Sequence, residues 1–192
     1  MELLFITPNS EKIIELAGRT AYQSYNRIRQ GSEKEFVKMI RKSGHHSVLE
    51  HAYATFRISG ISRACSHQLV RHRLCSFTQK SQRYVNEKEF SYVIPPSIMT
   101  NPEAKRIFEE FMERAKAAYS NLKDLGIKNE DARYVLPNAV ETEIVLTANF
   151  RELRHIIGLR KNISAQWEIR MVAEEMLKLL MEHAPSVFED LL

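Results

Sequence analysis

Short strand-like runs alternate with helix-like segments along this chain, but without the regular strand–helix–strand order of a parallel sheet. Runs rich in β-branched and aromatic residues predict strands at residues 3–6, 52–59, 90–94 and 143–147. Amphipathic spacing predicts helices that begin at Ser10 and Ser32 and that cover residues 61–70, 102–125, 150–159 and 165–182, with a helical turn at 129–134. This mixture favours an α+β fold, in which helices cover a small, mainly antiparallel sheet.

The first two predicted helices carry specific expectations about burial and about their ends. The residues expected to face the core are Ile13, Ile14 and Leu16 in the first helix, and Phe36, Met39 and Ile40 in the second. Ser32 and Glu35 have the spacing of a capping box at the start of the second helix. Gly44 is suited to end that helix, because glycine tolerates the left-handed conformation that follows a last turn.

Nothing in the chain suggests a second domain or export from the cell. No internal repeat, low-complexity tract or flexible linker interrupts the 192 residues, so we expect a single domain over residues 1–192. No apolar run approaches the roughly 18 residues that a membrane helix needs, and the opening MELLFITPNSEKII is unlike a signal peptide. We therefore expect a cytoplasmic protein with no membrane partner, in which Cys65 and Cys75 are reduced thiols.

Positive charge is concentrated in two stretches, although the net formal charge is only +4. No Asp or Glu occurs from His51 to Asn86, a window that contains Arg57, Arg63, Arg71, Arg73, Lys80 and Arg83 with His51, His67 and His72. The second stretch contains Arg151, Arg154, Arg160 and Lys161 and is broken only by Glu152. Local fields of this kind attract phosphates and other polyanions. A solvated basic face balanced by acids elsewhere explains the composition equally well.

Several common catalytic and nucleotide-binding motifs are absent. The six glycines are scattered singly, so the chain has no GxGxxG fingerprint and no P-loop, and it also lacks GxSxG and HExxH. Any nucleotide phosphate must then be held by side chains and turn amides. His45, His46, Glu50 and His51 are the most metal-like group, but three ligands at zinc spacing are not evident. We expect no metal, and interpret this segment as a helix cap at Ser47 with polar neighbours.

The stretch QLVRHRLCSFTQKSQRY, residues 68–84, is the most unusual part of the chain. Arg71 and Arg73 flank His72, and two arginines so close together are costly unless an anion neutralises them. Eight residues after Arg73, Ser81 begins a Ser-Gln-Arg run that offers a hydroxyl, an amide and a guanidinium. The stretch therefore predicts two anion sites, which suit two nucleotide ligands. The alternative is a surface loop with scattered charge.

These residues resemble the flavin-dependent thymidylate synthase family. Arg71-His72-Arg73, seven further residues and Ser81 match its RHRx7S signature. Other segments follow in the family's order: Ser43-Gly44-His45 to Glu50-His51, Gln79-x-Ser81-Gln82-Arg83-Tyr84, Arg133-Tyr134-Val135-Leu136-Pro137, Asn149-x-Arg151-x-x-x-His155, Arg160, and Ala165-Gln166-Trp167-Glu168. The resemblance extends over about residues 40 to 185, and this ordered set is far more specific than an isolated RHR.

The resemblance implies a homotetramer that binds FAD between protomers and methylates dUMP to dTMP. Methylenetetrahydrofolate would supply the carbon and NADPH the reducing equivalents, by way of FAD. The residues implied for FAD are Ser47, Arg71, His72, Arg73 and Gln79, with Asn149, Arg151 and His155 from another subunit. The residues implied for dUMP are Gln68, Arg71, Gln79, Lys80, Ser81, Gln82, Arg83, Arg133 and Arg160. Ser164 and His67 stand where many relatives have histidine and some have arginine, respectively.

The residues themselves favour electrostatic catalysis over covalent catalysis. Neither Cys65 nor Cys75 has an obvious activating neighbour, and Ser81 is better interpreted as a phosphate ligand than as a nucleophile. We expect Arg160 to be catalytic by stabilising negative charge on the N3–C4=O edge of uracil. The alternative for Arg160 is a helix C-terminal cation that interacts with the helix dipole.

Two other functions compete with this hypothesis. A nucleic-acid-binding module would also place aromatic residues such as Tyr53, Phe56, Phe77 and Tyr84 among basic residues. Against it, the 28 basic residues are nearly balanced by 24 acidic ones, so we expect no nucleic-acid partner. A flavoprotein of another purpose would bind FAD but would show no dUMP-dependent oxidation of the reduced flavin.

Overall fold

The computed structural model describes all 192 residues and divides into two compact units. Unit 1 comprises Met1–Arg57, Val70–Phe77 and Val145–Leu192, and unit 2 comprises Ile58–Leu69 and Thr78–Ile144. The chain therefore passes from one unit to the other at residues 57/58, 69/70, 77/78 and 144/145. A single domain over residues 1–192 stays a prediction.

One four-stranded sheet and nine α-helices make up the regular structure. The strands are β1 (Glu2–Ile6), β2 (Tyr53–Ser62), β3 (Ser76–Gln79) and β4 (Glu141–Asn149), in the sheet order β1-β2-β4-β3, and β1 pairs with β2 antiparallel. The helices are α1 (Ser10–Ala21), α2 (Ser32–Lys42), α3 (Arg63–Leu69), α4 (Pro96–Met99), α5 (Pro102–Asp124), α6 (Asn129–Ala132), α7 (Phe150–Arg160), α8 (Trp167–His183) and α9 (Pro185–Phe188). The predicted α+β class with a small antiparallel sheet is confirmed. None of the helices is both long enough and apolar enough to cross a membrane.

In unit 1 the first helix buries the carboxylate of Glu15, which is not among the residues predicted to face the core. Glu15 is only 2% exposed, and its oxygens accept hydrogen bonds from Arg19 (2.9 Å) and from the Ser32 hydroxyl (2.8 Å). The inner face of α1 includes Ile14, Glu15 and Gly18, so of the three residues predicted to face the core only Ile14 is buried. Ile13 and Leu16 are exposed, because the helix is rotated so that Glu15 can reach its partners.

The second helix has the predicted end but not the predicted cap. Gly31 precedes α2 in the left-handed conformation, and the Ser32 hydroxyl bonds to Glu15 instead of capping, so the capping box is wrong. Phe36 and Ile40 are buried as expected, whereas Met39 is exposed. Gly44 ends the helix with a φ of 73°, and the His45 amide donates to the Ile40 carbonyl, as in a Schellman motif.

In unit 2 the long helix α5 packs over a small apolar cluster. Phe90, Met112, Ala115 and Val140 form this buried cluster. The predicted strand at residues 90–94 is wrong, because only a single bridge between Tyr92 and Val140 forms there. A strand at residues 76–79 was not predicted, since its sequence Ser-Phe-Thr-Gln lacks a hydrophobic alternation strong enough to distinguish it from a loop.

The fully buried Tyr119 of α5 gives a test of unit 2. Its hydroxyl accepts a hydrogen bond from the Glu87 amide at 3.2 Å, inside the protein. We expect Tyr119→Phe to lower the free energy of unfolding by about 1–2 kcal/mol, because a buried amide loses its acceptor. Urea unfolding at fixed protein concentration measures the change. Tyr22→Phe, at a position that is 81% exposed, is the control and should change stability by less than about 0.5 kcal/mol. Equal effects of the two substitutions would show that the buried hydrogen bond of Tyr119 does not stabilise unit 2.

Candidate functional site

The Arg-His-Arg motif lies in unit 1, in the turn between α3 and β3, and its three side chains differ in exposure. Arg71 and Arg73 are exposed, whereas His72 is only 5% exposed. The Nε–H of Arg160 donates to the Nε2 of His72 at 3.0 Å. On the other side of the ring, the Nδ1 of His72 lies 3.7 Å from a carboxylate oxygen of Glu152, itself buried. The structure thus brings two predicted residues, His72 and Arg160, into direct contact.

His72 is held in its neutral form. Burial lowers its pKa from 6.5 to about 4, with further contributions from the positive charge of Arg160 and from His155, whose ring lies 5.8 Å away edge-on. Arginine has no acceptor, so the Nε2 of His72 must accept and the proton must be on Nδ1, facing Glu152.

A cleft of about 790 Å³ in unit 1 contains three predicted cofactor ligands. It is lined by His46, Glu50, Leu74, Asn149, Arg151, Glu152, Arg154 and His155. Asn149, at the start of α7, accepts a hydrogen bond from the Glu152 amide at 2.8 Å, and Arg151 forms an exposed ion pair with Glu50 at 2.6 Å. The predicted FAD residues Asn149, Arg151 and His155 therefore share one cleft. Ser47, Arg71 and Arg73 are exposed and are not among its lining residues.

Two residues of the second basic stretch hold the end of the chain in place. Both terminal nitrogens of Arg154 contact the Asp190 carboxylate, at 2.7 and 2.8 Å, and one of them also donates to the Val187 carbonyl. The ammonium of Lys161 donates to the Leu191 carbonyl at 2.6 Å. Arg154 and Lys161 are thus engaged with the C-terminal segment within unit 1. Anion binding by Arg151 and Arg160 stays a prediction, and both also have partners in the protein.

In unit 2 the Ser-Gln-Arg run forms a turn directly after β3. The Ser81 hydroxyl accepts from the Arg83 amide at 3.3 Å, and the Arg83 side chain pairs with Glu130 at 2.7 Å. Lys80 pairs with the buried carboxylate of Glu87 at 2.9 and 3.0 Å. Two of the predicted cations therefore already have acidic partners inside unit 2.

Gln79 and Gln82 differ in how their amides are satisfied. The Nε2 of Gln79 donates to the hydroxyls of Ser66 (2.8 Å) and Thr142 (3.1 Å). Gln82 is 9% exposed, and its buried Nε2 has no hydrogen-bond partner in the protein. A buried donor left unpaired is costly, and an acceptor on a ligand would satisfy it.

Arg63 is a candidate site residue that was not among those predicted from the sequence. It begins α3 in unit 2, and its pKa is lowered by burial and by the nearby charge of Arg133, while Glu87 acts in the opposite sense. Arg133, predicted for dUMP, has its Nε–H bonded to the Glu130 carbonyl at 3.0 Å. Two arginines that repel each other in a half-buried setting favour an anion between them. One feature of the sequence could have pointed to it, since Arg63 lies within the stretch from His51 to Asn86 that contains no acidic residue.

The two cysteines are not activated. Neither forms a disulfide, Cys65 is fully buried, and burial together with Glu152 raises the pKa of Cys75 to about 12. A thiol with so high a pKa stays protonated and is a poor nucleophile, which agrees with the prediction.

The metal-like group near residue 46 is engaged in other contacts. A ring nitrogen of His46 contacts the Arg41 carbonyl at 3.2 Å, and Glu50 pairs with Arg151. No group of three or more His, Cys, Asp or Glu side chains is arranged to hold a metal ion. The interpretation of Ser47 as a helix cap is wrong, because Ser47 lies inside the 3₁₀ helix His46–His51 and makes no capping bond.

These residues form a candidate site for anionic ligands. Both units contain arginines with amide and hydroxyl donors, and unit 1 contains a cleft of a size common for ligands. Residues 2–186 match the family described as thymidylate synthase complementing protein. The flavin-dependent thymidylate synthase of Geobacter sulfurreducens is 46% identical, covering 98% of this chain and 84% of the relative, and that of Clostridium tetani is 38% identical, covering 98% and 85%. The crystal structure of Thymidylate Synthase X from Helicobacter pylori with FAD and dUMP superimposes with a TM-score of 0.85 at 27% identity, covering 100% of this chain and 99% of that one.

The chain belongs to the flavin-dependent thymidylate synthase family, whose members are methyltransferase-type enzymes.

The neutral state of His72 makes the stability of the protein depend on pH. Folding lowers the pKa of His72 to about 4, so between pH 6.5 and about 4 the unfolded chain binds a proton that the folded chain does not. This contribution to stability is therefore complete above pH 6.5 and is lost as the pH falls through that window. We therefore expect the wild type to lose more stability than His72→Gln when the pH falls from 7 to 4. The extra loss of unfolding free energy should be at most about 3 kcal/mol.

Urea unfolding of both proteins at several pH values measures this difference and cancels the other titrating groups. A difference that stays constant from pH 7 to pH 4 would contradict the neutral His72. Nitrogen NMR provides an independent check, because the Nδ1–H form of the ring should persist at pH 6.

Proposed function

We propose that the protein is a flavin-dependent thymidylate synthase that converts dUMP to dTMP by reductive methylation. Methylenetetrahydrofolate supplies the carbon and NADPH supplies the electrons. The observation that carries the proposal is the family match over residues 2–186, which includes every residue of both arginine-containing clusters. The H. pylori relative was crystallised with FAD and dUMP, and it superimposes over the whole of this chain.

The unit 1 cleft is chemically suited to FAD. Its volume of about 790 Å³ lies within the usual range for small-molecule sites, roughly 300–1,000 Å³. Arg151 carries a charge for a pyrophosphate, while Asn149 and His155 offer polar groups for a sugar or a ring. The proposed FAD set is Ser47, Arg71, His72, Arg73, Gln79, Asn149, Arg151 and His155. When bound, FAD supplies redox chemistry that no side chain provides.

The arginines and amides of unit 2 are suited to dUMP. The unpaired Nε2 of Gln82 calls for an acceptor, which a nucleotide provides as a carbonyl or phosphate oxygen. Arg63, identified above, joins Arg133 as a cation for the phosphate. Arg83 is 57% exposed in its pair with Glu130, so a phosphate can replace that carboxylate at little cost. The proposed dUMP set is Arg63, Gln68, Arg71, Gln79, Lys80, Ser81, Gln82, Arg83, Arg133 and Arg160.

Catalysis by these residues is electrostatic and uses no enzyme nucleophile. The guanidinium of Arg160 stabilises negative charge that develops on the N3–C4=O edge of uracil, which activates the ring toward the one-carbon donor. Cys75 stays protonated because its pKa is raised, so it does not compete as a nucleophile. Ser81 binds phosphate through its hydroxyl and the backbone amides of its turn.

The assembly proposed for this chain is a cytoplasmic homotetramer whose active sites include residues of more than one subunit. The whole chain is proposed as one catalytic domain, which is supported by the continuity of β2 and β4 from one unit to the other. Light scattering of the purified protein measures the number of subunits. A monomer that is fully active would contradict the shared sites.

The central experiment is to purify the protein and measure its flavin absorbance. Dithionite-reduced enzyme is then mixed anaerobically with dUMP and methylenetetrahydrofolate, and reoxidation of the flavin and formation of dTMP are followed. Reoxidation that requires dUMP supports the proposal. A protein that cannot be loaded with FAD, or one whose reduced flavin does not respond to dUMP, contradicts it; the latter would indicate a flavoprotein of another purpose.

Arg160 gives the sharpest mutational test of the mechanism. We expect Arg160→Ala to lower kcat by about 10²–10³-fold, because a fixed donor at developing charge is worth about 3–4 kcal/mol. Steady-state dTMP formation at saturating dUMP measures this loss. Arg114→Ala, on the exposed surface of α5, is the control and should keep wild-type turnover. Wild-type turnover in the Arg160 variant would remove this residue from the mechanism.

Gln82 gives a prediction with opposite signs for binding and stability. Gln82→Met keeps the length of the side chain but removes the unpaired donor, so the free protein should become more stable by about 0.5–1 kcal/mol. The Kd for dUMP should rise about tenfold, because an acceptor on the nucleotide loses its partner. Urea unfolding and titration calorimetry measure the two effects, with exposed Gln30→Met as control. Unchanged dUMP affinity would show that Gln82 does not contact the substrate.

A further inference from the structure

The Nε–H of Arg160 donates a hydrogen bond of 3.0 Å to His72, the middle residue of the Arg-His-Arg motif. Four of the five guanidinium N–H groups are on the two terminal nitrogens, so a hydrogen bond at Nε orients the forked end of the side chain. Arg160 is in the last turn of α7, where a long side chain without such a bond samples several rotamers. The hydrogen bond to His72 therefore holds the positively charged guanidinium of Arg160 in one orientation.

His72 can act as this acceptor only in one state. The bare nitrogen must be Nε2, and the proton must be on Nδ1, which lies 3.7 Å from the Glu152 carboxylate. That distance is longer than a hydrogen bond, so Glu152 acts through its charge, by favouring the ring form with its proton toward the carboxylate. Glu152 is buried beside the start of α7, and its amide is bonded to Asn149. One element, α7, therefore carries both the carboxylate that orients His72 and the arginine that His72 holds.

We propose that His72 and Glu152 are positioning residues that fix the guanidinium of Arg160 in its reactive direction. This inference rests on the proposed function of Arg160. The histidine of the motif then has a different role from its two neighbours. Arg71 and Arg73 are exposed, whereas His72 is buried and contacts another protein side chain.

A purely structural His72 has different consequences. If the ring only fills space, any planar side chain of similar size should serve, and the loss of its nitrogen should not affect the reaction. If the ring positions Arg160, an acceptor at the place of Nε2 is essential. Gln supplies an oxygen at about that place, whereas Phe keeps the ring shape without an acceptor.

The first experiment compares His72→Phe with His72→Gln in FAD-loaded enzyme at saturating dUMP. We expect His72→Phe to lower kcat by about 50–100-fold, with KM for dUMP changed less than about threefold, because a small misplacement of a catalytic group is costly. His72→Gln should restore most of the loss, to within about fivefold of the wild type. Glu152→Leu and Glu152→Gln should each lower kcat about tenfold, since both remove the charge that favours the Nδ1–H form of the ring, whereas Glu152→Asp, which keeps the charge, should lose less.

The second experiment asks whether His72 acts through Arg160. In an Arg160→Lys background, His72→Phe should cause less than about a threefold further loss, because the bond to Nε no longer exists. Equal fold-losses in the two backgrounds would overturn the proposal. So would a kcat for His72→Phe within about threefold of the wild type.

The third readout needs no bound flavin. Proton–nitrogen NMR of arginine Nε–H groups, with the Arg160 signal identified by its absence in Arg160→Lys, measures exchange with water. We expect slow exchange in the wild type and in His72→Gln, and fast exchange in His72→Phe. Slow exchange in all three proteins overturns the proposal, and this readout decides the question if His72→Phe cannot be loaded with FAD.

The two hypotheses can fail separately. If Arg160→Ala retains wild-type turnover, the proposed mechanism fails whatever the NMR result. If Arg160→Ala is inactive and His72→Phe is not, the mechanism stands and only the positioning of Arg160 by His72 is wrong.

Discussion

The hydrogen bond between Arg160 and His72 connects the motif turn to helix α7 within unit 1. It depends on a neutral histidine, because a protonated ring has no acceptor and would place a second positive charge beside the guanidinium. Burial provides that neutrality by lowering the pKa of His72 to about 4. The buried carboxylate of Glu152 lies 3.7 Å from the other ring nitrogen, Nδ1. The same environment raises the pKa of Cys75, which keeps the nearby thiol unreactive.

Hydrophobic periodicity was sufficient to predict most of the fold. The long helix α5, the two helices α7 and α8, and strands β2 and β4 lie where spacing placed them, with ends shifted by a few residues. Two of the errors occur where contacts with distant parts of the chain decide the local structure. The buried Glu15 rotates α1 because it meets Ser32 of another helix, and no local pattern encodes that contact. The short polar strand β3 likewise exists only through pairing within the sheet.

The residues of the candidate site were also predictable in part from the sequence. The sequence identified the arginines, amides and hydroxyls through their order and spacing, and Asn149, Arg151 and His155 do line one cleft. It could not tell which cations are neutralised by acids elsewhere in the chain. Arg154 and Lys161 appeared equivalent to Arg151 and Arg160, yet they bind the C-terminal segment. Arg63 was overlooked because its significance comes from its proximity to Arg133, 70 residues further along the chain.

Exposure separates the arginines that hold the protein together from those available to a ligand. Arg154 is 11% exposed and bonds to a carboxylate and a backbone carbonyl, so its removal would leave buried groups unpaired. Arg83 and Arg151 also pair with acids, but they are 57% and 55% exposed, and such pairs contribute only about 0–1 kcal/mol. In the proposed sites, a phosphate with two negative charges would displace a solvated carboxylate, because the arginine would exchange one exposed partner for a stronger one. Glu130 and Glu50 would then be weak, replaceable counterions, and their exposed pairs with the two arginines contribute little to the stability of the fold.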